Sequence, residues 1–485
     1  MNEHAMPELS GEIRSRLLGE VRKELTGNIL PFWMQYARDE KTGGFYGTLT
    51  QPPSGYGSFR PPAGDPAEPR SVVMTARHLW AYSAAFNALG DAQYLDMARY
   101  AWNAIVRDYA DDESGGVFWS VNPDGSPAVA RKQIYGEAFA VYGLAEYALA
   151  LKNFGGGTAS AHSEATVSSA ELPAAGEPLA LALSIYDLLE GRARDRNAGG
   201  YFEARSRDWS ATTELKLSDK DIDCDKSMNT NLHVMEAYTT LLRVLKAFAG
   251  ESPTTVASTA SVDQTARLGA HPSRIEDAPR DSAALDEAIS RVRESLAQLV
   301  RITTEKILGP DAHLDLYFNA EWKAIGDVVS YGHDIECSWL LWEAVEELDD
   351  PEIAASYREA VVLIARTALE EGFDAGSGAI ENETHGSRRD RTRIWWCQAE
   401  ALVGFFNAWQ LTGEKAFLDA ALAQWRWILA VQKDPVGGDW FWAVGPDGKP
   451  DPDQPKGGNW KTSYHNARCC MEILRRLGGE TGSIK

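Results

Sequence analysis

The sequence predicts an all-α protein, an (α/α)6 barrel of six helical hairpins with short β-hairpins in the loops at one end. Three observations carry this. A turn signal running into a short strand-like piece recurs six times along the 485 residues. Two helix-like stretches lie between successive recurrences, giving a repeat on the order of 60 to 85 residues once insertions are set aside. Six such hairpins can close into an inner ring of helices covered by an outer ring, with the loops of one end forming a bowl. An open solenoid of the same units is the structural alternative.

Taken in order, Leu9 to Arg38 has apolar residues at helical spacing, carries the cluster Pro31-Phe32-Trp33, and leads into Gly43-Gly44-Phe45-Tyr46-Gly47. The same succession returns at Gly115-Gly116-Val117-Phe118-Trp119, at Gly199-Gly200-Tyr201-Phe202 and at Gly437-Gly438-Asp439-Trp440-Phe441-Trp442. Weaker versions stand at Asp315-Leu316-Tyr317-Phe318 and Gly376-Ser377-Gly378-Ala379-Ile380. Two stretches break the pattern, about 155–176 and 249–284, both rich in Ala, Ser, Thr, Gly and Pro. They read as inserted flexible loops, and His162 and His271 within them as solvated. The expectation is one catalytic domain spanning 1–485.

Composition narrows the partners. Hydrophobic residues make up 44% and aromatics 10%, enough for a large core, and no apolar run approaches the roughly 20 residues that span a bilayer. The first residues lack a basic start and an apolar stretch, so a cytoplasmic location is expected. Five cysteines without Cys-x-x-Cys spacing fit neither a disulfide framework nor a zinc site. A net charge of -22 repels nucleic acid and anionic lipid but suits a neutral small molecule. A monomer or weak homodimer is expected, with no cofactor and no metal.

The helix starts hold the candidate chemistry. They are Arg70 to Arg77, Arg131 to Glu137, Lys226 to Glu236, Ser330 to Glu343, Arg393 to Glu400 and Trp460 to Arg468, each polar and aromatic before an apolar helix. If these are the inner helices, their first turns converge. His233, His333 and His465 then face one another across a pocket walled by Trp and Tyr. In Ser330 to Glu343 a Gly hinge at Gly332 precedes a polar turn, and His333 and Glu336 lie three apart, so the carboxylate can orient and tune the imidazole. The competing readings are a satisfied core histidine for His233, a cap-region histidine for His333 and a buried ion pair for Arg77. Of the sixteen tryptophans, Trp80, Trp339 and Trp342 read as core, whereas Trp395, Trp396 and Trp460 adjoin helix starts and suit a stacked sugar.

Four of these stretches carry a family resemblance. Ser330-Tyr331-Gly332-His333-Asp334-Ile335-Glu336, Lys226 to His233 with Glu236-Ala237-Tyr238, Trp395-Trp396 with Gln398-Ala399-Glu400, and Trp460-Lys461 with Tyr464-His465-Asn466 resemble the cellobiose 2-epimerases of the N-acylglucosamine 2-epimerase superfamily. The resemblance runs from about Leu17 to Leu477. It implies an (α/α)6 barrel and cofactor-free epimerisation at C2 of the reducing-end glucose of β-1,4-linked disaccharides, cellobiose to glucosyl-mannose, with His333 and His465 as the catalytic histidines. Asn231 stands where the family usually has a histidine, Glu137 where it has Gln, and Thr462-Ser463 where it has Cys-Pro. These departures are expected to bear on substrate preference.

Inverting C2 needs a proton taken from one face and delivered to the other, and two histidines with pKa values near neutrality suit this. The expected roles are His333 and His465 as exchanging base and acid, Glu336 tuning His333, Arg77 on the developing enediolate oxygen, and His233 assisting ring opening. Tyr135, Asn229, Trp395, Trp396, Glu400 and Trp460 would fix the sugar. Mannose/glucose 2-epimerisation and aldose–ketose isomerisation are the near alternatives. More distant ones are an inverting glycosidase using Glu336 and Glu400, and a non-catalytic sugar-binding barrel.

Overall fold

The computed structural model describes residues 9–50, 62–156, 172–218, 220–250 and 282–478. Most of the two low-complexity stretches, with His162 and His271, lies outside the described residues. In chain order, α1 (Gly11–Glu24) runs through a π turn into α2 (Leu30–Tyr36), and α3 (Val72–Leu89) follows. Then come α4 (Ala92–Ala104) with α5 (Ile134–Gly155), α6 (Gly176–Leu188) with α7 (Met228–Ala249), and α8 (Ser282–Ile302) with α9 (Tyr331–Leu348). The last pairs are α10 (Pro351–Thr367) with α11 (Trp395–Thr412) and α12 (Lys415–Trp427) with α13 (Tyr464–Arg476).

Burial separates two layers. Helices α3, α5, α7, α9, α11 and α13 are buried almost all round, α3, α5 and α11 because they are apolar on nearly every face. Each packs on the next in chain order, and α13 packs back on α3. The partner helices cover this ring with one amphipathic face. Each outer helix carries a five-residue π turn, inside the first at 25–29 and at the end of the others at 105–109, 189–193, 303–307, 368–372 and 428–432. After each outer helix the chain reverses and pairs with itself, as at Ala110 with Val117 and Arg194 with Tyr201.

These reversals are the six recurrences of the sequence. At the second, Gly115 and Gly116 both take φ of 71°, a region open to glycine at no steric cost. The turn aspartate meets a cation placed just before the next inner helix: Asp39 with Arg70, Asp111 with Lys132 (2.9 Å), Asp195 with Lys226 (2.6 Å), Asp374 with Arg393 (2.9 Å) and Asp434 with Lys456 (2.7 Å). In the remaining repeat His313 pairs with Asp334 at 2.7 Å.

Closure is visible in the strands. The short strand before each inner helix pairs with one from the following repeat, as Arg70 with Val121, Lys132 with Arg205 and Arg393 with Val444. The last of these, at Gly457 and Gly458, pairs with Leu49 and Thr48 of the first repeat. The ring is therefore closed and the solenoid alternative is excluded. Because all six strands join at one end, all six inner helices start there.

Two local expectations are corrected. Gly332 is no hinge: the helix already runs at Tyr331, with Ser330 as its N-cap. A Cβ on Gly332 would lie 2.5 Å from Cys397 Sγ and 2.7 Å from the Trp396 ring, so glycine is needed for close approach. Glu137 and Asn231 do not face a sugar pocket. Glu137 accepts the Val117 N–H at 3.0 Å and Asn231 the Tyr201 N–H at 2.9 Å, so both fasten a strand turn to an inner helix.

Candidate active site

On α9 the N-cap Ser330 Oγ lies 2.8 Å from His333 Nδ1. Helical side chains lean toward the N-terminus, so His333 reaches back to its own cap. The expected contact with Glu336 is therefore absent, a correction that follows from side-chain direction. Glu336 instead accepts from Arg468 Nη2 at 2.6 Å and lies 4.0 Å from His465 Nδ1. Its neighbour Asp334 points outward to His313 and the Leu314 N–H.

The other two histidines are held by carboxylates. His465 Nδ1 is 2.7 Å from Glu400 and His233 Nδ1 is 2.7 Å from Glu236. Glu400, expected at the sugar, places its oxygens on His465, Arg468 and the Trp339 indole N–H (3.0 Å), so in this structure it supports a histidine. Arg468, which sequence reasoning passed over, donates to Glu236, Glu336, Glu400 and the Tyr464 hydroxyl. The available signal was its place three residues after His465, between Ala467 and Cys469 and ahead of a further apolar stretch.

The rings share aromatic walls. Trp396 has its centroid 4.7 Å from that of His333 and 5.9 Å from that of His465. The two imidazoles are thus no farther apart than those two distances together. Trp395 is buried, 4.6 Å from Trp442 and 6.4 Å from His465. On the opposite wall Tyr135 lies 5.0 Å from His233 and 6.1 Å from Trp460. Arg77 ties that wall together, donating to the Tyr135 hydroxyl at 2.8 Å and to the Trp460 carbonyl at 3.0 Å. It is only 3% exposed and has no carboxylate partner among the described residues. The buried-ion-pair reading of Arg77 does not hold. An arginine desolvated without a counter-ion is costly unless an anion is to arrive. A small cavity of about 30 Å³ opens beside His333 and Asn229, between Leu217, Asp221 and Tyr317. Asn229 Oδ1 is buried there without a hydrogen-bond donor among the described residues.

Burial, not solvent, sets the charges. It pulls His333 down to about 3 and His465 well below the ordinary histidine value, with Arg77 and Arg468 adding to the effect. His233 is lowered too, against the pull of Glu236. The expected near-neutral values are therefore not those of the free site, where all three imidazoles are neutral bases. Glu336 is pushed up to about 8 by burial and by the nearby Glu400 charge.

This arrangement weighs against two rivals. Glu336, Glu400 and His465 present ligand atoms within 4.8 Å of one another, yet both carboxylates already receive positive charge from Arg468. The same carboxyl pair is closer than the roughly 6.5–9.5 Å that inverting glycosidases need. No helix among the described residues is long and apolar enough to cross a membrane.

The family profile of N-acylglucosamine 2-epimerase (GlcNAc 2-epimerase) matches residues 55–242 and 291–469. The chain belongs to this family. It is 35% identical to a cellobiose 2-epimerase of Bacteroides fragilis over 460 residues, covering 94% of this chain and 98% of that one. A cellobiose 2-epimerase of Dictyoglomus turgidum is 32% identical over 463 residues, covering 95% and 99%. The solved cellobiose 2-epimerase from Spirochaeta thermophila DSM 6192 superposes with a TM-score of 0.77 at 36% identity, covering 97% of this chain and 99% of that one. The N-acylglucosamine 2-epimerase relative described here is thus a carbohydrate epimerase of the isomerase class, built on the (α/α)6 barrel.

Proposed function

We propose that this epimerase inverts C2 of the reducing-end glucose of β-1,4-linked disaccharides, converting cellobiose to glucosyl-mannose and lactose to epilactose. The observation that carries this reading is the placement of His333 and His465 against one indole, Trp396. In the open-chain sugar the C1 carbonyl acidifies the C2 hydrogen. One neutral imidazole removes it, giving an enediolate and an imidazolium. The other, protonated from solvent as the enediolate charge raises its pKa, delivers that proton to the opposite face, and the first ring returns its proton to solvent. Arg77, buried without a counter-ion, meets the negative charge as it builds on oxygen. That same charge raises the imidazole pKa values from their depressed resting state, so that proton return follows removal. His233, behind Tyr135, polarises O1 and assists ring opening. Tyr135, Asn229 and Trp460 bind hydroxyls and sugar faces, with Trp395 backing His465.

The substrate class rests on the relatives from Bacteroides fragilis and Dictyoglomus turgidum, both named cellobiose 2-epimerase, and on the full-length match to them. The test is a panel of cellobiose, lactose, glucose and mannose with products identified by NMR. The account expects 2-epimeric disaccharides from the first two and slower turnover of the monosaccharides. A ketose as the main product, or turnover of monosaccharides alone, would move the enzyme to the isomerase or mannose/glucose reading.

A further inference from the structure

Beneath the histidines lies one cation with too many partners. Arg468 is 2% exposed and rises from α13 one turn after His465. Its Nη2 donates to Glu336 at 2.6 Å and Glu400 at 2.8 Å, and its Nη1 to Glu236 and the Tyr464 hydroxyl. The guanidinium lies over the Tyr464 and Trp339 rings, 4.4 and 4.8 Å from their centroids. A continuous chain therefore runs His233, Glu236, Arg468, Glu400, His465, joining helices α7, α11 and α13.

We propose that Arg468 is a positioning residue that locks His233 and His465 in one tautomer, Nδ1–H given to a carboxylate and the Nε2 lone pair left free to accept. The inference deepens the two-histidine reading and rests on it for its catalytic consequence. The reasoning is electrostatic. An ionised carboxylate can only accept, so it fixes the proton on Nδ1, whereas a protonated carboxyl can donate to Nδ1 instead. Three carboxyls crowded in a buried site cannot all ionise without a cation. Burial pushes Glu400 up and Arg468 pulls it back, while Glu236, which also bonds His233, is held down near 2. Glu336, with no imidazole bonded to it, is the member that keeps a proton. Remove the guanidinium and Glu400 protonates. It then donates to Nδ1, the ring carries its proton on Nε2, and the base is lost.

The test reads the tautomer itself, on full-length enzyme labelled with ¹⁵N-histidine, without substrate, at pH 7. In the wild type the lone-pair nitrogen signal of both rings should belong to Nε2. In Arg468→Met that of His465 should move to Nδ1, kcat should fall by about 10³-fold, and KM should change by less than about threefold. Added guanidinium should restore part of kcat. A folded Arg468→Met in which both rings keep the Nε2 lone pair overturns the proposal. Where the Met variant does not fold, Arg468→Lys decides. One ammonium cannot serve both dyads, so one ring should lose its tautomer, and retention by both overturns the idea. Because the spectrum needs no turnover, a shifted tautomer together with undiminished epimerisation by His465→Asn would sink the catalytic reading and leave this one standing.

Discussion

His465 and His333 approach the same indole with different support behind them. His465 is backed by a carboxyl group that is itself held by a guanidinium, which on the proposal above commits its Nδ1 to donating and its Nε2 to accepting. His333 is backed by the hydroxyl of its own helix cap, which can donate or accept. One ring is thus fixed in a tautomer and the other is free to exchange it. The difference teaches how a near-symmetric reaction can run on unlike halves: the enzyme needs one committed base and one adaptable partner, and takes the first from a long-range network and the second from a local cap. A bond to a charged group contributes about 1.5–3 kcal/mol against 0.5–1.5 for a neutral one, so the two supports should also fail by different amounts.

The largest effect breaks the comparison outright. His333→Asn and His465→Asn should each lose net epimerisation by about 10³-fold or more, while each still exchanges the C2 hydrogen of one epimer with solvent. The two variants should exchange opposite epimers, read by NMR of glucosyl-glucose and glucosyl-mannose in heavy water. Next come the supports. Glu400→Gln should lower kcat by about 10²-fold or more, whereas Ser330→Ala should cost about tenfold or less, both with little change in KM. Equal losses would erase the distinction between the committed and the adaptable ring.

A smaller effect lies in pH. Burial lowers both imidazoles in the free enzyme, and only the neutral ring accepts the C2 proton. The acid limb of kcat/KM should therefore fall below the ordinary histidine value of about 6.5, with activity rising as pH climbs through the depressed values. The smallest effect contrasts two buried carboxyls. Glu400 has a bonded counter-charge; Glu137 has a backbone N–H and is pushed up to about 8 by burial. The folded state then holds a proton that the unfolded chain releases near 4.5, so stability is full at acid pH and declines as pH rises toward about 8. Glu137→Gln should raise Tm by several degrees at pH 9 and leave it unchanged at pH 4, measured by calorimetry.

Much of this fold is legible in the sequence because most returns are punctuated by glycines and an aspartate whose φ and charge the turn demands. The convergence of His233, His333 and His465 follows from that register. What the chain does not announce is side-chain direction and long-range pairing. His333 and Glu336 share a face by spacing, yet the lean of helical side chains sends one to Ser330 and the other to Arg468. Glu400 looks like a sugar ligand beside Trp395 and Trp396 until its oxygens are found occupied by residues 65 and 68 positions away. Asn231 and Glu137 look like pocket residues for the same reason, and prove to be bolts on strand turns.

The most direct measurement is the isotope content of C2 after early turnover of cellobiose in heavy water, read by ¹H NMR on separated product and recovered substrate. Two opposed imidazoles place a solvent-derived deuteron at C2 of the product from the first turnovers, with deuterium entering the recovered cellobiose more slowly. Glucosyl-mannose that keeps its original C2 protium would contradict the account.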